Sequence, residues 1–364
     1  MDIGILQLGG GECISDGNSP DINRVSRKLC KHGYFVKMSV FLADCEKTTD
    51  TFEFLTAHCD AVLICGNTDA FRNAIAEKYE SANSLEIFVI DDTPCAVSKS
   101  CDNSFISNTL IPMLNSKCKT FYTSSIFKTF GKTEEQLRYI LGNFIKNRNK
   151  IVFKFDTESD GCTVSVRYSN KTQKNTVSEL LSGVTEALKD CTYSYEDVTL
   201  SEKTAQMLIE SGKTLGLAES FTGGNIAASL VKTPGISKSL KEGIVCYSND
   251  VKANRLRVSQ RALDNCGAVS DETAYQMAAN LLMDGNYDYV IATTGNAGPT
   301  SEKPNEAGLC YIAVGDRHNI DIYCHTFEGD RTEVIEKGTN CALFKLCKLL
   351  KSNAHTNNAN TQND

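Results

Sequence analysis

Short apolar runs recur along the chain, and each gives way to turn-forming residues. Ile3–Leu8 stops at Gly9-Gly10-Gly11, and Ala61–Cys65 stops at Gly66. Thr214–Ala218 runs into Glu219-Ser220-Phe221-Thr222-Gly223-Gly224, and Tyr287–Thr294 ends at Gly295. Runs this short and this apolar read as strands buried on both faces. Between them lie helical patterns such as Pro20–Lys31, with Val25, Leu29 and Cys30 on one face. Strand-helix alternation of this kind predicts an α/β chain built on parallel sheets with helices on their faces.

The pattern divides the chain into three expected domains. Residues 1–118 alternate strand and helix, with further strands at Tyr34–Val40 and Glu86–Ile90. Residues 119–192 form a smaller β-α-β-β-α unit. In it Thr133-Glu134-Glu135-Gln136 is a capping box that opens a helix. The turn Glu158–Gly161 joins two strands, and Thr176–Leu188 is a second helix. Thr192–Val198 is polar and reads as a linker. Residues 197–352 form a third domain of α/β character. Residues 353–364, rich in Asn and Thr, read as a disordered tail.

Composition narrows the function classes. Of 364 residues 41% are hydrophobic and 23% charged, which excludes a disordered chain. No apolar run approaches the roughly 20 residues of a membrane span. The net charge is −7 and no basic stripe is present, which argues against a nucleic-acid partner. Met1–Gly9 lacks the basic start of a signal peptide and reads as a first strand, so a cytoplasmic location is expected. The 16 cysteines are scattered from Cys13 to Cys347, with no CxxC and no zinc-ligand spacing. They read as reduced thiols that fill space like small hydrophobes, and no metal site is expected.

The junction at Ser220 carries the clearest chemistry. Glycines there let backbone approach a ligand, and the first amides of the following helix point outward with positive character. Ser220 is placed as a nucleophile before such a turn, or else the stretch is an N-cap and a glycine turn. A serine nucleophile needs a base. The third domain offers only His318 and His325 among histidines, and neither lies in a motif. Lys252, at the end of Tyr247-Ser248-Asn249-Asp250-Val251-Lys252, is the other option, because a desolvated lysine can accept a proton. Its other reading is a solvated lysine at a helix start. Thr294-Gly295-Asn296-Ala297-Gly298-Pro299 lines the same crevice or is an ordinary strand exit. In Gly329-Asp330-Arg331, Asp330 suits an N-cap, and Arg331 suits a phosphate or a surface ion pair.

Taken in order, these strings resemble the CinA (competence/damage-inducible protein A) family. The matching segments are Ala218-Glu219-Ser220 with Thr222-Gly223-Gly224, Pro234-Gly235, and Tyr247-Ser248-Asn249 with Lys252. They continue with Gly267-Ala268-Val269-Ser270, Thr294-Gly295 with Ala297-Gly298-Pro299, and Gly329-Asp330-Arg331. The resemblance implies a C-terminal amidohydrolase that converts nicotinamide mononucleotide (NMN) to nicotinate mononucleotide and ammonia, within pyridine nucleotide salvage. It implies Ser220 as nucleophile and Lys252 as base. Backbone amides at Thr222, Gly223 and Gly224 would hold the oxyanion, and Tyr247 and Asn249 would position the amide or the lysine. Gly295, Ala297 and Gly298 would shape the pocket, and Arg331 would hold the phosphate. The scheme needs no cofactor and no metal. It also implies a homo-oligomer, a dimer being one form.

The resemblance extends unevenly to the rest of the chain. Residues 119–192, with Phe127-Lys128-Thr129-Phe130-Gly131, look like the family's KH-like domain. Ile5–Leu8, Gly11-Glu12, the helix around Asn23 and Asp60–Gly66 fit the opening of its molybdenum-cofactor-biosynthesis-like domain. Members with ADP-ribose pyrophosphatase activity carry a Thr-Gly-Gly-x-Gly-Pro-Thr-x-Asp-Asp loop after the third strand. Here that place reads Cys65-Gly66-Asn67-Thr68-Asp69-Ala70-Phe71. The N-terminal domain is therefore expected to be inactive and structural. Asp91-Asp92-Thr93-Pro94 replaces an apolar loop, and its two acids read as a metal pair or as a solvated turn. Phe221 stands where the family commonly has Cys, and either narrows the pocket or points into the core. The loop Thr300–Ala307 is poorer in glycine than usual, although Glu302-Lys303-Pro304 is kept. Two other readings remain open at this level: a non-catalytic scaffold or nucleotide-binding protein linked to competence or DNA damage, and a hydrolase of another small amide.

Overall fold

The computed structural model describes residues 1–9, 22–43, 47–75, 78–79, 86–118, 120–146, 151–300 and 306–360. Gly10, Gly11 and Glu12, and Glu302-Lys303-Pro304, lie outside them.

The fold is mixed α/β with three sheets. The N-terminal sheet contains β1 (Asp2–Leu8), β2 (Phe35–Leu42), β3 (Ala61–Gly66), β4 (Ile87–Ile90) and β5 (Thr93–Ser98), in the order β2-β1-β3-β5-β4. Helices α1 (Ile22–Lys31), α2 (Thr48–His58) and α3 (Thr68–Ile75) alternate with its strands. After β5 the chain runs through α4 (Asn103–Phe105), a π turn at Ile106–Leu110 and α5 (Ile111–Lys117). Side chains of β3 alternate between two cores: Ala61, Leu63 and Cys65 face one, Val62 and Ile64 the other. That two-sided burial is why the strand reads as an unbroken apolar run.

The parallel order holds for β1, β2, β3 and β5, whereas β4 pairs antiparallel with β5. Thr93 and Pro94, placed in a loop by the sequence, open the buried strand Thr93–Ser98. Asp91 and Asp92 form the two-residue hairpin turn before it, with φ of 45° and 68°. Positive φ at both central positions is what a tight hairpin requires, and Asp tolerates it.

The small sheet contains β6 (Tyr122–Thr129), β7 (Ile151–Glu158), β8 (Gly161–Ser169) and β9 (Thr192–Ser194), in the order β7-β8-β6-β9. Its helices are α6 (Glu134–Ile140), α7 (Gly142–Ile145) and α8 (Lys174–Leu188). The capping box at Thr133 and Gln136 forms as the sequence predicts. The expected linker at Thr192–Val198 does not: Thr192–Ser194 is the buried strand β9, paired with β6. Tyr193 is buried there because its hydroxyl donates to Asp160 at 2.9 Å, which satisfies its one polar group.

The C-terminal part contains α9 (Leu200–Ser211), β10 (Leu215–Glu219), α10 (Asn225–Leu230), β11 (Leu240–Val245), α11 (Asn249–Leu256), α12 (Gln260–Asn265) and α13 (Asp271–Gly285). It closes with β12 (Tyr289–Gly295), β13 (Leu309–Asp316), β14 (Ile320–Thr326) and α14 (Arg331–Asn360). The strand order is β11-β10-β12-β13-β14, with β10 parallel to both neighbours and β13 and β14 antiparallel. Leu217, Ile291 and Ile312 pack in a core with residues of α9, α10 and α14. Ala218, Val290 and Ala292 pack in another with residues of α11, α12 and α13. The last helix continues to Asn360, so residues 353–360 extend it instead of forming an irregular tail.

By tertiary contact the chain divides into two compact units. The first is Met1–Ser125, Phe144–Phe153 and Ser165–Gly183; the second is Ile126–Asn143, Lys154–Val164 and Val184–Asp364. Residues of the small sheet belong partly to each. Every cysteine among the described residues is a free thiol, and most are buried. Burial alone pushes the Cys95 thiol up to about 12, which makes it an inert space-filler.

Candidate active site

The site forms where β10 ends, inside the second unit. Ser220 follows the last residue of this central parallel strand, on the carboxyl edge where open α/β sheets bind ligands. Its backbone N–H donates to the Thr293 carbonyl at 3.0 Å and lies 3.3 Å from the Thr293 hydroxyl. The Thr293 and Thr222 hydroxyls are 2.8 Å apart and buried. The Ser220 turn is thus tied to β12 on one side.

Lys252 approaches from the other side. Ser248 caps α11 by accepting the Val251 N–H at 3.3 Å, which starts the helix one turn before the lysine. The Lys252 side chain is only 2% exposed, and its Nζ lies 2.9 Å from Ser220 Oγ and 3.0 Å from the Cys246 carbonyl. No carboxylate among the described residues pairs with it. Desolvation by burial therefore pushes its ammonium below the ordinary lysine value. A neutral amine here can donate to Cys246 O and accept the Ser220 hydroxyl proton.

Glu219 changes the expected role of the glycine turn. Its carboxylate, buried at the end of β10, accepts the N–H of Gly224 at 3.0 Å, Ile226 at 3.1 Å and Ala227 at 2.9 Å. The Gly223 N–H donates back to the Ser220 carbonyl at 3.1 Å. The amides of Gly223 and Gly224 are committed and cannot hold an oxyanion, contrary to the sequence expectation. Among the described residues the N–H groups of Phe221 and Thr222 have no acceptor. The positive φ of Gly223 and Gly224, 61° and 97°, shows what those glycines do: they turn the chain tightly enough to bring α10 back onto Glu219.

The remaining residues divide between mouth and wall. Arg331 opens α14, where Asp330 and Glu333 form a reciprocal cap at 2.9 Å each way. Its guanidinium donates to the Tyr247 hydroxyl at 2.6 Å and to the Gly298 carbonyl at 2.7 Å, and no carboxylate among the described residues pairs with it. Tyr247 is largely exposed. Asn249 is exposed at the start of α11 and bonds neither Ser220 nor Lys252; the Cys246 carbonyl orients the lysine instead. Gly295 serves packing: a Cβ there would lie 2.5 Å from the Cys310 Cβ. Ala297 is buried against Phe221, Cys310 and Val334. The Phe221 ring points into that core. His325 stacks on Phe327 and lies 3.4 Å from the Cys341 sulfur, so it plays no part at Ser220.

Sequence reasoning missed Glu219 and Thr293 as members of the site. A legible signal existed for Glu219, since a carboxylate closing an apolar strand one residue before a glycine turn must find buried donors. Thr293 carried none, because only strand pairing brings it beside Glu219.

A family model described as the CinA C-terminal domain matches residues 197–350. The crystal structure of a CinA superfamily protein from Klebsiella pneumoniae is 31% identical over 42% of this chain and 96% of its own, with a TM-score of 0.41. The chain belongs to the CinA family. A CinA-like protein of Endomicrobium trichonymphae is 32% identical over 251 residues, 66% of this chain. The chain spans 58% of that relative's length. The competence/damage inducible protein CihA of Agrobacterium tumefaciens is 33% identical over 42% of this chain and 96% of its own, with a TM-score of 0.40. Among the described residues of this CinA-family chain, no helix is long and apolar enough to cross a membrane.

Proposed function

We propose that the second unit hydrolyses the carboxamide of NMN to the carboxylate, releasing ammonia. The observation that carries this reading is the 2.9 Å contact between Lys252 Nζ and Ser220 Oγ, a nucleophile and a base paired in a buried setting.

Neutral Lys252 takes the Ser220 proton as Oγ bonds to the amide carbon. The resulting oxyanion is held by the free amides of Phe221 and Thr222, the donors next to the nucleophile. Lys252 then gives its proton to the departing nitrogen, the C–N bond breaks, and ammonia leaves an acyl-serine. A water molecule loses a proton to Lys252, attacks the ester, and frees nicotinate mononucleotide and the Ser220 hydroxyl. Arg331 meets the phosphate by exchanging its neutral partners, Tyr247 OH and Gly298 O, for a charged one. No step calls for a metal or cofactor.

The first unit is proposed as a structural or assembly module of a cytoplasmic homo-oligomer. After β3 the chain enters α3 directly through Asn67, without the glycine and carboxylate loop that a diphosphate and its metals would need. Turnover of ADP-ribose with divalent metals would refute this part, and sedimentation equilibrium tests the assembly.

The central test is ammonia release from NMN by the intact chain beside Ser220→Ala. The wild type should release ammonia and the variant should not; equal rates would overturn the assignment.

A further inference from the structure

Gly338 sits inside α14, where a glycine weakens a helix relative to alanine. Its missing side chain has a specific use. A Cβ at this position would lie 2.5 and 2.6 Å from two atoms of the Phe221 ring. Phe221 is 3% exposed, packed with Ala297, Cys310 and Val334. The ring is therefore seated in a notch that only glycine leaves open.

The seat joins the two ends of the proposed site. Phe221 directly follows Ser220 in the nucleophile turn. Gly338 lies two helical turns beyond Arg331, on the same face as Val334. Ala297, in the same cluster, is next to Gly298, whose carbonyl receives Arg331. Fixing Phe221 against Gly338 thus fixes how far the Arg331 guanidinium stands from Ser220 Oγ.

We infer that the Phe221–Gly338 seat is a positioning device: it sets the span between nucleophile and guanidinium and so selects amides carrying an anionic group at one reach from the reacting carbon. The inference rests on the amidohydrolase reading. The Phe221 ring touches no reacting atom, unlike the backbone amide of the same residue, and the effect of the ring passes through Arg331.

The test uses the full chain as wild type, Gly338→Ala and the double variant Phe221→Leu/Gly338→Ala. Ammonia release is measured from NMN and from the same nucleoside without its phosphate. Labelling of Ser220 by a small neutral sulfonyl fluoride, read by intact mass, reports the Ser–Lys pair independently of substrate. Gly338→Ala should raise KM for NMN about tenfold while kcat, labelling and the rate on the nucleoside stay within about twofold. The double variant, which restores room in the notch, should recover most of the lost KM. Equal losses on both substrates, or no recovery in the double variant, would overturn the positioning role while labelling keeps the Ser–Lys reading intact. A wild type that neither labels at Ser220 nor releases ammonia would overturn that reading and this inference together.

Discussion

Glu219 Oε1 accepts the amide of Ala227, eight residues ahead, at 2.9 Å. The bond closes the chain on itself around Ser220, so the helix behind this serine is capped by the residue in front of it. The helix N-terminus keeps little of the positive character that would draw an anion, because a buried carboxylate already sits on it.

Glu219→Ala should leave three amides without acceptors, one buried and two part-buried, and destabilise the second unit by about 3 kcal/mol. Glu219→Gln should fall between that variant and wild type, since its own N–H₂ meets one of the amides. The chain has no tryptophan, so urea unfolding is best followed by circular dichroism. A Glu219→Ala midpoint equal to that of wild type would contradict the capping role.

Activity should rise with pH through the depressed value of Lys252 and level off above it, because only the neutral amine accepts the serine proton. The stability effect has a matching sign. Below the lowered folded value, the native state holds a buried charge that the unfolded chain solvates; as pH rises towards the ordinary value of about 10.5, that cost disappears. Lys252→Met should lose at least about 100-fold in kcat. Its Tm should also vary less with pH between neutrality and pH 10 than that of the wild type. Parallel Tm curves for the two proteins would show that Lys252 is not desolvated.

Gly295→Ala forces a methyl group within 2.5 Å of the Cys310 Cβ and 2.9 Å of the β13 backbone. It should cost about 1–3 kcal/mol by overpacking. The loss should appear in thermal unfolding, and Cys310→Gly should relieve part of it. A Gly295→Ala protein with unchanged Tm but raised KM would instead return Gly295 to the substrate pocket.

Tyr193→Phe should cost about 1 kcal/mol, the net worth of its bond to Asp160. Asp160 keeps its second donor, the Leu200 N–H at 2.9 Å, so the carboxylate is not left bare. A flat response in chemical denaturation would mean that Thr192–Ser194 is the loose connection its composition resembles.

That strand marks one limit of what the sequence revealed. Buried parallel strands such as β3 and β10 were plain, because a run apolar on both faces has few other readings. Thr192-Tyr193-Ser194 looked like a linker because its burial depends on a partner, Asp160, more than thirty residues away. The same holds at the site. Ser220 and Lys252 were legible as side chains with chemistry of their own. The occupied amides of Gly223 and Gly224 were not, since their donors are backbone and their acceptor's direction follows from the fold. Phe221 offered two orientations, and the notch at Gly338 that decides between them lies over a hundred residues away.

The group that orients the proposed base, Lys252, is a main-chain carbonyl, that of Cys246. Alanine scanning is blind to such a group: Cys246→Ala keeps the carbonyl, and its Lys252 should titrate as in wild type. The third member of the Ser–Lys constellation is thus written in backbone geometry, and position 246 is free to drift among small residues while the lysine stays aimed.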